Sequence, residues 1–154
     1  MMFMKKQTVF LAITTIFTLF IFMNSLMSGE VSSAQSGLIT IPLTNFLNYL
    51  FGLTLDASSV SLVIRKLAHF GEFLILGVLW VLTLTSYSFR LQKAMQLTIS
   101  IGLLTALSDE FIQTFVPGRA GTLLDVLIDL VGVLVGVFII TGIIKQIEHK
   151  KTSP

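Results

Sequence analysis

Arg65, His69 and Glu72 recur at i, i+4 and i+7, which stacks a guanidinium, an imidazole and a carboxyl on one helix face. Further along, Asp109 and Gln113 stand four apart, as do Asp125 and Asp129. The first of these stripes runs back through Ala106 and Gly102, and the second runs on through Gly132 and Gly136. An imidazole facing acids on other helices can act as general acid or base, or hold a divalent cation through oxygen-rich ligands. Arg65 together with Arg119 gives two guanidiniums suited to bidentate contact with phosphate or carboxylate. The H-x-x-E spacing of His69 and Glu72 is a weak metal signal by itself, so no metal site is assigned from the sequence. No Ser-His-Asp order or phosphate-cradling glycine loop strengthens an enzymatic reading, and nothing indicates a cofactor. Glu110 lies about 100° around the helix from Asp109, so only one of the pair points straight into a single pocket.

These groups stand in an unusually apolar chain. Of 154 residues, 54% are hydrophobic and only 12% charged, with a mean hydropathy of +0.92. A soluble domain keeps its surface wet with roughly 25% charged residues, and half that proportion does not coat a globule of 17.0 kDa. The surplus apolar surface faces lipid, which excludes a soluble enzyme, a disordered tail and a nucleic-acid-binding module. A net charge of +2 is too small for counterion-driven nucleic-acid binding, and the pI near 9.1 reflects lysines placed at a membrane surface. The chain has no cysteine, hence no disulfide, thiolate metal site or cysteine nucleophile.

Roughly 20 apolar residues cross the hydrocarbon core. Four stretches qualify, at about 8–27, 67–87, 94–116 and 123–144, which predicts an all-α integral membrane four-helix bundle forming one domain over 1–154. Four crossings place Lys5, Lys6, Arg90, Lys93, Lys145, Lys150 and Lys151 on one face, leaving Arg65, Lys66 and Arg119 on the other. The positive-inside rule then puts both termini in the cytoplasm of a multi-pass cell-membrane protein. The first run also resembles a signal peptide, with lysines ahead of it and Ser28, Gly29, Ser32, Ser33 and Ala34 behind; its length favours a retained anchor. In the outer connection, Leu43, Phe46, Leu47, Leu50 and Phe51 recur at helical spacing between Pro42 and Gly52. This predicts a short amphipathic helix lying in the outer interface or folded over the bundle. Asp56 is placed to cap a further helix over 57–64 that leads into the second span.

An ionisable side chain at the bilayer centre costs at least ~2.5–3.5 kcal/mol on insertion scales, so each one marks a candidate site. Seven residues separate Arg65 from Glu72, Asp109 from Val116, and Thr122 from Asp129, each about 10 Å of helix. The deepest acids of three helices therefore reach a similar level from the same outer surface. This predicts one outward-open polar pocket formed by Arg65, His69, Glu72, Asp109, Glu110, Gln113, Arg119, Asp125 and Asp129. The catalytic candidates among them are His69, Glu72, Asp109 and Glu110. The plainer alternative is that these groups pair only to hold the helices together. The turn Pro117-Gly118-Arg119 closes the site, its glycine permitting the positive φ that a tight turn needs. Lys66 reads as a headgroup-facing cation.

At these residues the chain resembles the VanZ-like family of small polytopic bacterial membrane proteins. The resemblance rests on Arg65-Lys66-Leu67-Ala68-His69-Phe70 with Glu72, on Ser108 to Arg119, and on Asp125 and Asp129 with Gly132 and Gly136, covering about 65–136. Family members often carry a tyrosine after the first-block glutamate; here it is Phe73. The namesake is associated with lowered susceptibility to teicoplanin-type glycopeptide antibiotics, which bind cell-wall precursors outside the membrane. The resemblance therefore implies a cell-envelope protein whose pocket takes an anionic lipid, a lipid-linked wall precursor headgroup or a lipidated glycopeptide. An intramembrane enzyme acting on a polyprenyl-phosphate or other lipid substrate through His69, Glu72, Asp109 and Asp129 is the alternative. An ion-coupled transporter fits less well, because the polar stripes stop partway; a structural partner of another membrane protein remains. Membrane lipids are the expected partners, nucleic acid is not one, and homo-oligomerisation is left open.

Overall fold

A computed structural model describes residues 5–152, which are helical with short connections and contain no strand. Five helices follow in order: α1 (Lys6–Ser25), α2 (Gly29–Phe51), α3 (Ala57–Ser86), α4 (Leu91–Gln113) and α5 (Leu123–Thr152). Among the described residues, three helices are long and apolar enough to cross a membrane: α1, α3 and α5. The stretch expected as a third crossing, α4, falls outside that set. It carries Lys93, Gln96, Ser100, Asp109, Glu110 and Gln113 within 23 residues, and these lower its mean apolarity.

The outer connection differs most from expectation. The helix predicted to begin at Pro42 begins at Gly29, where the Ser28 side chain accepts the Val31 amide, and Pro42 lies within it. The Ser, Gly and Thr residues between 32 and 44 have low helix propensity, but Ser36, Thr40 and Thr44 among them lie on the face turned to the bundle. Ser36 and Ser61 hydroxyls stand 3.3 Å apart, and Thr40 and Thr44 are buried. The apolar stripe is split, with Phe46, Leu50 and Phe51 exposed and Leu43 and Leu47 half-buried beside the threonines. The expected stop is present, because Gly52 closes the helix at φ 63°. Asn48 then grips both backbone groups of Leu55, at 3.0 and 2.8 Å.

Asp56 caps α3 by accepting the Ser59 amide at 2.8 Å and the hydroxyls of Ser58 and Ser59. The short helix expected after it and the second span are one continuous 30-residue helix, since nothing between Ala57 and Leu67 breaks the chain. α4 stops at Gln113 rather than 116, and a turn through Thr114–Val116 leads to Pro117. Gly118 takes φ 74° as expected. Thr122 opens α5, its hydroxyl accepting the Asp125 amide at 3.1 Å.

α3 is the central element. α1, α4 and α5 all pack on it, α4 also packs on α1 and α5, and α2 packs on α3 alone. The apolar core joins Ile21 of α1, Phe73, Leu76 and Val81 of α3, Ala106 of α4, and Val126, Val133 and Val137 of α5. The hydroxyls of Thr14 and Thr83 add a polar tie between α1 and α3 at 2.7 Å. The closest approach is between α3 and α5. A Cβ on Gly132 would stand 2.5 Å from the Phe70 carbonyl oxygen, one on Gly136 would overlap the Leu74 carbonyl, and one on Gly77 would lie 2.7 Å from the Val133 carbonyl. Backbone meets backbone here, so the small residues set how near α5 can come.

Gly136→Ala is expected to destabilise the detergent-solubilised protein by about 1–3 kcal/mol through overpacking. Gly142→Ala, inside the same helix at a position with open space around it, leaves the unfolding midpoint the same or slightly higher; equal midpoints for both variants would contradict the close approach. The three donors around Asp56, the Ser58 hydroxyl foremost, hold its carboxyl well below the ordinary value of 3.8. The cap is therefore fully effective above that value and is lost as pH falls through the lower folded-state value. Amide exchange at Ser59 and Val60, corrected for the intrinsic rate, is expected to quicken as pH drops from roughly 5 to 2, with no such trend in Asp56→Ala.

Candidate functional site

The acids of α4, Asp125 and Asp129 of α5, and the Arg65–Glu72 stripe of α3 gather at the Pro117 end of the bundle. One turn of α3 places His69 toward the other two helices, and its Nδ1 lies 3.5 Å from Asp129 Oδ1 and 3.9 Å from Asp109 Oδ2. Asp109 and Asp129 are both 0% exposed, and Glu110 and Gln113 are buried. Gln113 Nε2 donates to Asp109 Oδ2 at 3.0 Å and to Glu110 Oε1 at 3.1 Å. The Ser25 hydroxyl of α1 donates to Asp109 Oδ1, and the Thr122 amide donates to Glu110 Oε2 at 2.8 Å. Asp129 has no hydrogen-bond partner among the described residues on either oxygen, and neither does His69 Nδ1.

Asp109 and Glu110 thus take donors from different elements, α1 and the turn before α5, while Gln113 bridges the two carboxylates. One ligand atom from each of His69, Asp109, Glu110 and Asp129 lies within 4.8 Å of the others.

Beside this cluster is a cavity of about 270 Å³. Arg65, His69 and Glu72 of α3 line one wall and Arg119 stands at the turn. The pocket predicted to hold nine residues thus has two parts. Arg65, His69, Glu72 and Arg119 face the cavity, while Asp109, Glu110, Gln113 and Asp129 are packed behind His69. Asp125 faces neither. It accepts from Lys66 Nζ at 2.7 Å and from the Thr122 hydroxyl at 3.0 Å, so Lys66 joins α3 to α5 rather than standing apart as a headgroup cation.

The opposite wall comes from residues that the charge pattern did not single out. Asn24 and Ser25 end α1, and Ser32 and Ser36 occupy one face of α2. Asn24 Nδ2 donates to Glu72 Oε1 at 3.0 Å. The available signal was the polar end of the first apolar run and the i, i+4 serines beyond it. α2 also fixes the turn that carries Arg119: the Gly29 amide donates to the Pro117 carbonyl at 3.0 Å, and a Cβ on Gly29 would overlap the Gly118 carbonyl. Burial, and then the neighbouring Arg65 charge, push the Arg119 guanidinium below its usual value, while Asp109, Glu110 and Glu72 pull the other way. Its Nε is buried without a partner among the described residues.

The match to known proteins covers nearly all of this structure. The model of the VanZ/LLP1 family matches residues 9–145, from the first turns of α1 into the last third of α5. This chain belongs to the VanZ/LLP1 family. No curated protein and no solved structure matches it. In this VanZ/LLP1 protein the motif residues of α3, α4 and α5 are neighbours in space, and α1 and α2 complete the cavity around them.

The Lys66–Asp125 pair is half exposed at one end and nearly buried at the other, with side-chain exposures of 36% and 12%. A double-mutant cycle with Lys66→Met and Asp125→Leu is expected to give a coupling energy of about 1 kcal/mol in detergent unfolding. A coupling indistinguishable from zero would mean that the two side chains act independently.

Proposed function

We propose that this VanZ-like protein resides in the cell membrane, crosses it four times with both termini in the cytoplasm, and binds an anionic headgroup in its polar cavity from outside the cell. The headgroup belongs to a lipid, a lipid-linked wall precursor or a lipidated glycopeptide, and its capture changes susceptibility to glycopeptide antibiotics. α4 supplies the fourth crossing. Its charged residues lie near its ends, and its acids face helices rather than lipid.

The observation that carries this reading is the pair of guanidiniums at the cavity. Arg65 and Arg119 repel one another there, and Arg119 Nε has no protein partner among the described residues. An anion between them relieves the repulsion and supplies the missing acceptor, in the forked geometry that guanidinium offers phosphate and carboxylate. Asn24, Ser32 and Ser36 add neutral donors on the facing wall, while Met27, Ile39 and Ile64 give an apolar margin suited to a lipid chain.

Arg65→Gln and Arg119→Gln proteins are expected to insert normally yet bind polyprenyl diphosphate in nanodiscs at least about tenfold more weakly, one charge-assisted contact being worth roughly 1.5–3 kcal/mol. Unchanged affinity in both variants would remove the headgroup reading. Enzymatic action on a polyprenyl-phosphate or similar lipid is the second reading. It is favoured by His69, whose ring reaches the cavity with two acids behind it, a layout able to orient a general acid or base. Turnover of polyprenyl phosphate by the purified protein, lost in His69→Gln, is its expected sign.

A further inference from the structure

We infer that His69, Asp109, Glu110 and Asp129 bind one divalent transition-metal ion of the Mn²⁺ or Zn²⁺ type, clamped between α3, α4 and α5. The inference goes beyond the headgroup reading and does not depend on it, since His69 alone belongs to both the cluster and the cavity.

Three observations support the ion. The first is the pattern of unmet bonding. Asp129 is 0% exposed, points into the cluster, and has both oxygens without a partner among the described residues, as has the buried His69 Nδ1. A carboxylate buried without donors is costly, and native structures rarely keep one unless something else satisfies it. The second is spacing. At 3.5 and 3.9 Å, the ion-pair contacts of His69 Nδ1 with Asp129 and Asp109 are longer than an ordinary hydrogen bond. Two ligands each about 2.1 Å from one ion stand 3.5 Å apart at an angle of about 110°, the tetrahedral value. No two of the four ligand atoms are more than 4.8 Å apart; a tetrahedral ion sets each pair about 3.4 Å apart, so binding draws the widest pair together by up to about 1.4 Å.

The third observation is the surrounding support. Asp109 and Glu110 take hydrogen bonds from Ser25, Gln113 and the Thr122 amide. Each bonded oxygen keeps a further lone pair, so these donors orient the carboxylates without consuming them. With all three carboxyls ionised the acids carry −3, and a divalent ion offsets two of the three. One imidazole nitrogen among carboxylate oxygens suits Mn²⁺ or Zn²⁺ better than Mg²⁺ or Ca²⁺, which favour oxygen alone. Four protein ligands fill the tetrahedron of a Zn²⁺ ion, which is then structural, while an octahedral Mn²⁺ ion keeps two further positions.

The test uses the full-length protein in detergent, stripped with EDTA, dialysed against MnCl₂ or ZnCl₂ and analysed by inductively coupled plasma mass spectrometry. One ion per chain is expected, with a higher thermal midpoint than the stripped protein. Asp129→Asn and His69→Gln are expected to lower metal affinity at least about tenfold. Arg65→Gln and Arg119→Gln keep the ion, so loss of headgroup binding and loss of metal are separable. Wild-type protein holding no stoichiometric ion of either metal overturns the inference without reference to any variant. So does either ligand variant binding as tightly as wild type, which would mark an adventitious surface ion.

Discussion

Placing an imidazole and three carboxylates inside apolar helices leaves no bulk water to satisfy them, and the arrangement of the bundle follows from that constraint. The neighbours of these groups come from other helices as well as their own. Asp109 takes a donor from α1 and another from its own helix; Glu110 takes one from the turn that opens α5; His69 of α3 stands between Asp109 and Asp129. The cluster therefore ties four helices at one level. Removing a single partner leaves a buried polar group unpaired, which costs more than the pair itself contributes.

Such ties require the helices to be close, and that is decided by residues with almost no side chain. Gly132 and Gly136 bring α5 against the carbonyls of Phe70 and Leu74, one turn from His69. Gly102 of α4 makes room for the Val133 side chain, and Gly121 lets the turn before α5 pass over the Glu110 carbonyl. Polar and small residues on each helix thus have one purpose between them. The small ones set the separation, and the polar ones meet across it. Outside this seam the helices present large apolar side chains, Phe111, Phe115, Leu123 and Phe138 among them, whose exposure fits lipid as the surrounding solvent.

Periodicity was a good guide wherever one helix face carried a consistent character. The stripes of α3, α4 and α5, the stop at Gly52, the cap at Asp56 and the turn at Gly118 were all legible, because each depends on local chemistry that does not need a partner. α2 was misread for the opposite reason. Ser36, Thr40 and Thr44 look like a loop beside the apolar stripe after Pro42, yet they belong to the packed face, while Phe46, Leu50 and Phe51 of the stripe point outward. α4 was expected to cross on length, but its apolarity falls short of that of α1, α3 and α5 once its polar residues are counted. Lys66 shows the same limit: one residue from Arg65, it reads as a membrane-surface cation until α5 brings Asp125 to it.

From residue types and spacing alone come an all-helical chain rich in lipid-facing surface, its VanZ-like character, and a set of polar residues at matched depth on three helices. Those properties follow from hydropathy and helical period, which act within a segment. Only the tertiary structure decides that the set divides, with Arg65, Glu72 and Arg119 on a cavity and Asp109, Glu110 and Asp129 sealed behind His69. It also decides that α1 and α2 furnish the opposite wall. Which side chains share a space depends on helix rotation and separation, and those are settled by glycine contacts between segments far apart in the chain.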